Sequence, residues 1–173
     1  MEYLIYIIVA LIPASAVLLV VYIVLKKQGE KEIASLSMQI KRERKQFFLE
    51  PRVDACQRIV LLLERINPHS LVMRLHKTNQ TAVLFQTELL NNIRSEFDHN
   101  VTQQIFISTP SWEMVKKSKE ETIKIINIAA QQMDNDSSSS DLSAKIFEII
   151  SEIEELPTEI TIKQLKGELQ QLF

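Results

Sequence analysis

Apolar positions open the chain without interruption. Residues 3–25, YLIYIIVALIPASAVLLVVYIVL, carry no charged side chain, and Lys26 and Lys27 follow at once. At ~1.5 Å per residue such a run rises about 34 Å, against a hydrocarbon slab of ~30 Å, so the pattern predicts a single transmembrane helix within an anchor at 1–27. Pro13 lies mid-span, where a kink is expected, and Ala10 and Ala14 form a small-xxx-small pair. The triplet Ala14-Ser15-Ala16 resembles a signal-peptidase site, but only Met1 and Glu2 precede the run and it continues well past Ala16, so the anchor is expected to persist. Glu2 stands on one side, while Lys26, Lys27, Lys31, Lys41, Arg42, Arg44 and Lys45 crowd the other. Positive charge stays on the inner side, which puts the N-terminus outside and the C-terminal domain in the cytoplasm.

Beyond Lys27 the pattern becomes helical. Ile33, Leu36, Ile40 and Phe47 recur at spacings of 3, 4 and 7, with Glu43 at the vacant d position of a heptad, giving a stalk helix at 28–50 with a narrow apolar seam. Glu50-Pro51 predicts a break, because the residue before proline avoids helical angles and proline suits the first turn of a new helix. Residues 51–133 form the expected bundle core. Val53, Cys56, Val60 and Leu63 make one stripe of its first helix, which Ile59, Leu62 and Ile66 widen. Asn67-Pro68 supplies a cap and an N1 proline for the next helix, and Thr81 caps a third that carries Phe85, Leu89, Leu90, Ile93 and Phe97. Ile105 to Ile107 read as a short extended piece. Thr109-Pro110 then restarts a helix with Trp112, Val115, Ile123, Ile126, Ala130 and Met133 on one face.

The tract DNDSSSSD at 134–141 has no apolar residue to bury and reads as a flexible polar linker. A C-terminal helical hairpin at 142–173 follows. Leu142, Ile146, Ile149, Ile150 and Ile153 line its first helix; Ile162, Leu165, Leu169 and Leu172 line its second, with Thr161 and Gln164 as a capping box. Only Gly29 and Gly167 are glycines, and apolar/polar alternation is nearly absent, so the fold class is all-α: a transmembrane helix, a stalk helix and a multi-helix bundle.

Charge is uneven. Residues 26–77 hold 12 Lys/Arg against 6 Asp/Glu, whereas residues 134–159 hold 8 acids and only Lys145. The basic stalk, through Lys26, Lys27, Lys41, Arg42, Arg44 and Lys45, is a candidate lipid-contacting surface, and nucleic acid is not an expected partner. Cys56 is the only cysteine, so no internal disulfide forms.

The segments LLLERINPHSLVMRL (61–75), LLNNIRSEFDHNVTQQIFIS (89–108) and WEMVKKSKE (112–120) resemble an uncharacterised family, a domain of unknown function, of small single-span membrane proteins chiefly from the Bacteroidota. Its hallmarks here are ERINP at Glu64–Pro68, then Arg94 with EFxHNxxQQ at Glu96–Gln104, then Trp112. The resemblance implies a bacterial inner-membrane location and no assigned activity. Arg65, Asn67, Arg94, Glu96, His99, Asn100, Gln104 and Trp112 form a candidate polar cluster for partner docking or for satisfying helix ends. No H-E-x-x-H, G-x-S-x-G or P-loop occurs, and the histidines lie on different segments, so no catalytic residue, metal ligand or cofactor is expected. The expected role is a membrane-anchored scaffold or interaction module with protein partners or as a homo-oligomer. Two alternatives are a membrane-tethered enzyme using the cluster around His99 and a lipid-surface sensor working through the stalk.

Overall fold

A computed structural model of the chain describes the backbone of residues 2–171 and the side chains of residues 18–171. Among these residues the protein is all-α, as the periodicity predicts. The helices are α1 (Glu2–Ile66), α2 (Pro68–Leu75), α3 (Ala82–Asn100), α4 (Thr109–Ala130), α5 (Ser139–Ser151) and α6 (Pro157–Gln170), with a 3₁₀ turn at Val101–Ile105. The chain divides into two units, Met1–Leu49 and Glu50–Phe173.

In the first unit the described side chains, from Leu18 to Leu49, are all exposed except the half-buried Gly29 and Leu49. The expected transmembrane helix does not stand. Among the described residues no helix is long and apolar enough to cross a membrane. This finding overturns the transmembrane anchor, and with it the placement as a single-pass protein of a bacterial inner membrane with its N-terminus outside. The apolar run is not an element of its own but the start of a 65-residue helix. Its described side chains, Leu18–Leu25, cover only about 12 Å of rise before the lysines. Ala10, Pro13 and Ala14 lie outside the described side chains, as does Leu172.

The expected break at Glu50-Pro51 is also corrected, since α1 remains helical through both residues. Proline inside a helix removes one backbone donor and crowds the carbonyl four residues earlier, a cost of ~3 kcal/mol. The preference of its predecessor for extended angles is a bias that flanking helical residues outweigh.

The second unit is built around the end of α1. Ala55, Ile59, Leu62, Leu63 and Ile66 are buried there, so the central stripe lies one position round from Val53 and Val60, which are only half-buried. Leu71 and Val72 of α2, Phe85, Leu89 and Ile93 of α3, Val115 and Ile126 of α4, Leu142 and Ile146 of α5, and Ile162 and Leu165 of α6 complete one core. Helix α4 packs on α3, α5 and α6, and α5 also meets α2 and α3. The buried face of α4 alternates apolar and small polar residues, with Ser111, Ser118 and Thr122 beside Val115, Ile126 and Ala129. Small side chains at these positions let the neighbouring helices approach closely.

Caps fix where the elements begin. The Asn67 side chain accepts from the His69 N–H (3.1 Å) and its amide donates to Thr158 Oγ1 (3.3 Å), joining the start of α2 to the start of α6. Thr81 and Ser108 cap α3 and α4 in the same manner. Helix α6 starts at Pro157, with the Leu156 N–H donating to Glu159 Oε2 (3.3 Å). Thr161, expected as a cap, is instead a buried residue inside it.

Two connections differ from expectation. Residues 101–105 wind as a 3₁₀ turn and 106–107 follow as turn and bend rather than extending: the Phe106 N–H bonds the Gln103 carbonyl (3.0 Å), Ile105 is exposed and Ile107 is buried. The serine tract is not a free linker along its whole length. The Ala82 N–H bonds the Ser137 carbonyl (2.9 Å) and the Ser139 N–H bonds the Gln80 carbonyl (2.8 Å), forming an antiparallel bridge between Thr81 and Ser138. Ser139 Oγ donates to the Lys77 carbonyl (2.6 Å), and Ser138 with Asp141 forms a capping box that starts α5 inside the tract. The serines supply the hydrogen bonds that an apolar linker would lack.

Asn67 both caps α2 and reaches α6, so Asn67→Ala should destabilise the second unit by about 1–2 kcal/mol. Urea unfolding followed by circular dichroism measures the change, and Thr158→Val should remove only the bond to α6 while leaving the Asn67 cap in place.

Candidate interaction surfaces

The polar residues singled out from the sequence do not converge on one site. Arg65 Nη2 meets Glu96 Oε1 at 2.9 Å, tying the end of α1 to α3. The Asn100 amide donates to the Glu96 carbonyl (2.9 Å), and the His99 Nδ1–H donates to the Ser95 carbonyl (2.7 Å). Both are contacts of α3 side chains with carbonyls four residues earlier in the same helix. Asn67 belongs to the α2–α6 junction. Arg94 and Gln104 are exposed. Trp112 is buried and stacks on Phe97 at 5.5 Å between centroids, with Lys119 Nζ 4.4 Å from the Phe97 ring on which it lies. Glu96 is thus engaged by an arginine and His99 by a backbone carbonyl, and among the described residues no hydrogen bond links the two.

A second polar constellation was not anticipated. Ser108 Oγ and Ser111 Oγ donate to Glu168 Oε1 at 2.6 and 2.7 Å, and the Gln164 amide reaches the same oxygen at 3.3 Å. Ser108 is also the N-cap of α4, accepting from the Ser111 N–H. The carboxylate of α6 therefore sits at the positive end of the α4 dipole. Two turns beyond Ser111 along α4, the Ser118 and Thr161 hydroxyls are 2.8 Å apart, and each also lies within hydrogen-bond reach of the Pro157 carbonyl. These hydroxyls satisfy one another across a dry helix contact, as buried polar groups must.

Several shallow clefts lie on the described part of the bundle, one of them between α2 and α5 and another between α1 and α6. Val72, Met73 and His76 face Ser140, Ser143, Ala144 and Phe147 across a cleft of about 380 Å³ between α2 and α5. His76 Nε2 lies 3.2 Å from Ser140 Oγ, and the His69 ring packs on Phe147. The cleft between α1 and α6, about 320 Å³, is lined by Cys56, Val60, Leu61, Leu165 and Leu169, with Gln57, Glu64 and Lys166 at its polar positions. Burial pushes the Cys56 thiol above its ordinary value, Arg52 opposing and Glu168 assisting, so the protonated form dominates at neutral pH. Among the described residues no group of three His, Cys, Asp or Glu side chains is placed to hold a metal ion.

Besides the exposed run Leu18–Leu25, the first unit carries an exposed apolar stripe. Ile33, Leu36, Ile40 and Phe47 are 72%, 57%, 45% and 74% exposed. They lie on one side of α1 at 100° per residue. Lys26, Lys27, Lys41, Arg42, Arg44 and Lys45 are exposed as well; at 100° per residue Lys26 and Arg44 border the stripe, and Lys27, Arg42 and Lys45 lie on the far side of the helix.

A family described as a family of unknown function (DUF7935) matches residues 2–172. The chain belongs to this family. No curated protein and no solved structure matches it. Membership of DUF7935 accounts for nearly the whole chain, and the family carries no assigned activity from which a site could be transferred.

In this DUF7935 chain the residues missed by sequence reasoning are small hydroxyls and one distant acid. Ser111, Ser118 and Thr122 follow the 4- and 3-residue spacing of a buried stripe, a signal present in the sequence but masked by their polarity. Glu168 had none, because its partners are 57 and 60 positions away. Burial alone would raise the Glu168 pKa; the hydrogen bonds from Ser108, Ser111 and Gln164, with the Arg52 charge, outweigh it and hold the carboxyl below its ordinary value of 4.5. A folded-state pKa below the unfolded one favours folding above the ordinary value, and that contribution disappears as pH falls through the depressed value. Melting temperatures between pH 7 and pH 3 should therefore drop more steeply for the native chain than for Glu168→Gln, with the two curves converging at the acid end.

Proposed function

We propose that this chain is an interaction module: the helical bundle of residues 50–173 is a folded support, and the apolar stripe of α1 between Ile33 and Phe47 is where a protein partner binds. The observation that carries the reading is the exposure of all four stripe residues in a segment whose described side chains have no helix of their own unit to pack on. A helix with an apolar stripe gains stability by burying it, and a stripe spaced at 3 and 4 suits another helix. The polar cluster supports a structural role for Arg65, Glu96, His99 and Asn100, each engaged by a neighbouring helix or by its own. Enzymatic chemistry has no comparable support, since Glu96 and His99 are held by other partners.

The test is a double substitution, Ile33→Asn with Ile40→Asn, in the full chain. Association measured by sedimentation and by chemical crosslinking should be lost, while unfolding of the bundle shifts by less than about 0.5 kcal/mol because both positions are exposed. Identical mass and crosslinking patterns for native and substituted chains would remove the stripe as a binding surface.

A further inference from the structure

The heptad that places Ile33, Ile40 and Phe47 at a and Leu36 and Glu43 at d extends back through Gly29 (d), Lys26 (a) and Tyr22 (d). Every one of these side chains from Tyr22 to Phe47 is exposed, apart from the half-buried Gly29. The seam is apolar or small except at two places, and those two carry opposite charges. In a paired helix the polar seam positions fix orientation and register, because a misplaced charge is left without a partner.

Resting on the reading of the stripe as a binding surface, we propose that its occupant is a second copy of the same segment, running antiparallel about a two-fold axis between residues 34 and 35. In that arrangement a positions face d positions. Ile33 packs on the partner's Leu36, and Ile40 lies over the partner's Gly29. Lys26 pairs with the partner's Glu43, and Phe47 meets the partner's Tyr22. Each contact occurs twice, so all eight seam positions are matched. Sliding by one heptad in either direction puts Glu43 against Ile33 or Leu19, and a parallel pair in register stacks Lys26 on Lys26 and Glu43 on Glu43. The self-complementarity thus selects one orientation and one register.

Gly29 adds a separate indication. A glycine inside a helix is destabilising by roughly 0.5–1 kcal/mol relative to alanine. Nothing in its own chain requires it, since a Cβ built there meets no atom within 4 Å. Opposite the branched side chain of the partner's Ile40, the absent side chain leaves room for the two helices to close. The paired stretch from Tyr22 to Phe47 is about 39 Å long, near four heptads.

Charge reversal in the full chain decides the matter. The native chain should sediment at twice its monomer mass. Lys26→Glu alone, or Glu43→Lys alone, turns both ion-pair layers into like-charge contacts and should raise the dimer dissociation constant about a hundredfold, roughly tenfold per layer. Lys26→Glu combined with Glu43→Lys should restore the native constant to within a few-fold. Unchanged helical content by circular dichroism confirms that each variant is folded. A native chain that stays monomeric throughout the micromolar range overturns the proposal, as does a dimer that ignores the single reversals, which would pair in parallel or through the bundle. If Ile33→Asn with Ile40→Asn abolishes association but the charge reversals do not, the interaction reading survives and the antiparallel pairing falls. Binding to vesicles of anionic lipid that Lys26→Glu weakens and the double reversal does not recover makes lipid the occupant and likewise overturns it.

Discussion

No helix between Pro68 and Gln170 exceeds 22 residues, and α2 has only 8. Helices of that length are marginal in water by themselves, because the nucleation cost is spread over few bonds. Their persistence depends on burying one face in a shared core, to which the last quarter of α1 contributes. Ile59, Leu63 and Ile66 are fully enclosed at the centre of the core that helices α2 to α6 complete. Removing that stripe would leave the other five with an unfilled centre rather than a weakened edge.

Around this centre, α4 determines how closely the other helices come. Its buried face places Ser111, Ser118 and Thr122 where larger residues would hold α6 away. Close approach brings polar groups into dry surroundings, and the structure answers with reciprocal bonds: Ser118 with Thr161, Ser108 and Ser111 with Glu168, and Asn67 with Thr158. Each of these joins elements far apart in the chain, so the hydrogen bonds specify which helix meets which, while apolar burial provides the driving force. Among its described side chains, from Leu18 to Leu49, the first unit has no such network. Polar and apolar residues alike face outward there, which is the physical basis for reading it as a surface that binds.

Element boundaries were legible where local chemistry sets them. Asn67-Pro68 and Thr81 begin helices because a side-chain acceptor and a pre-set φ act within a few residues of the site. The all-α class followed from the 3- and 4-residue spacing of apolar positions. Pro51 was misread because a local preference competes with helical propagation on both sides. Ser137 to Ser139 read as linker because their bonding partners, Lys77, Gln80 and Ala82, lie about 60 positions earlier. The membrane assignment came from counting apolar residues in a window. Among the described residues the helix containing that window is not long and apolar enough to cross a membrane.

Of the polar cluster, the sequence identified residue types suited to helix ends but not their pairing. Arg65 and Glu96 form an ion pair because α1 and α3 are neighbours in space; His99 and Asn100 bond to their own helix; Trp112 turned out to be a core residue on Phe97. What the sequence determined by itself was the all-α class, the starts of α2 and α3 at Asn67 and Thr81, and the 3- and 4-residue apolar spacing along the helices, all of which rest on interactions spanning four residues or fewer. Which stripe is covered, which polar residue finds a partner and which stripe stays open were decided only by tertiary structure, because burial and long-range hydrogen bonding belong to the arrangement of elements and not to any one of them.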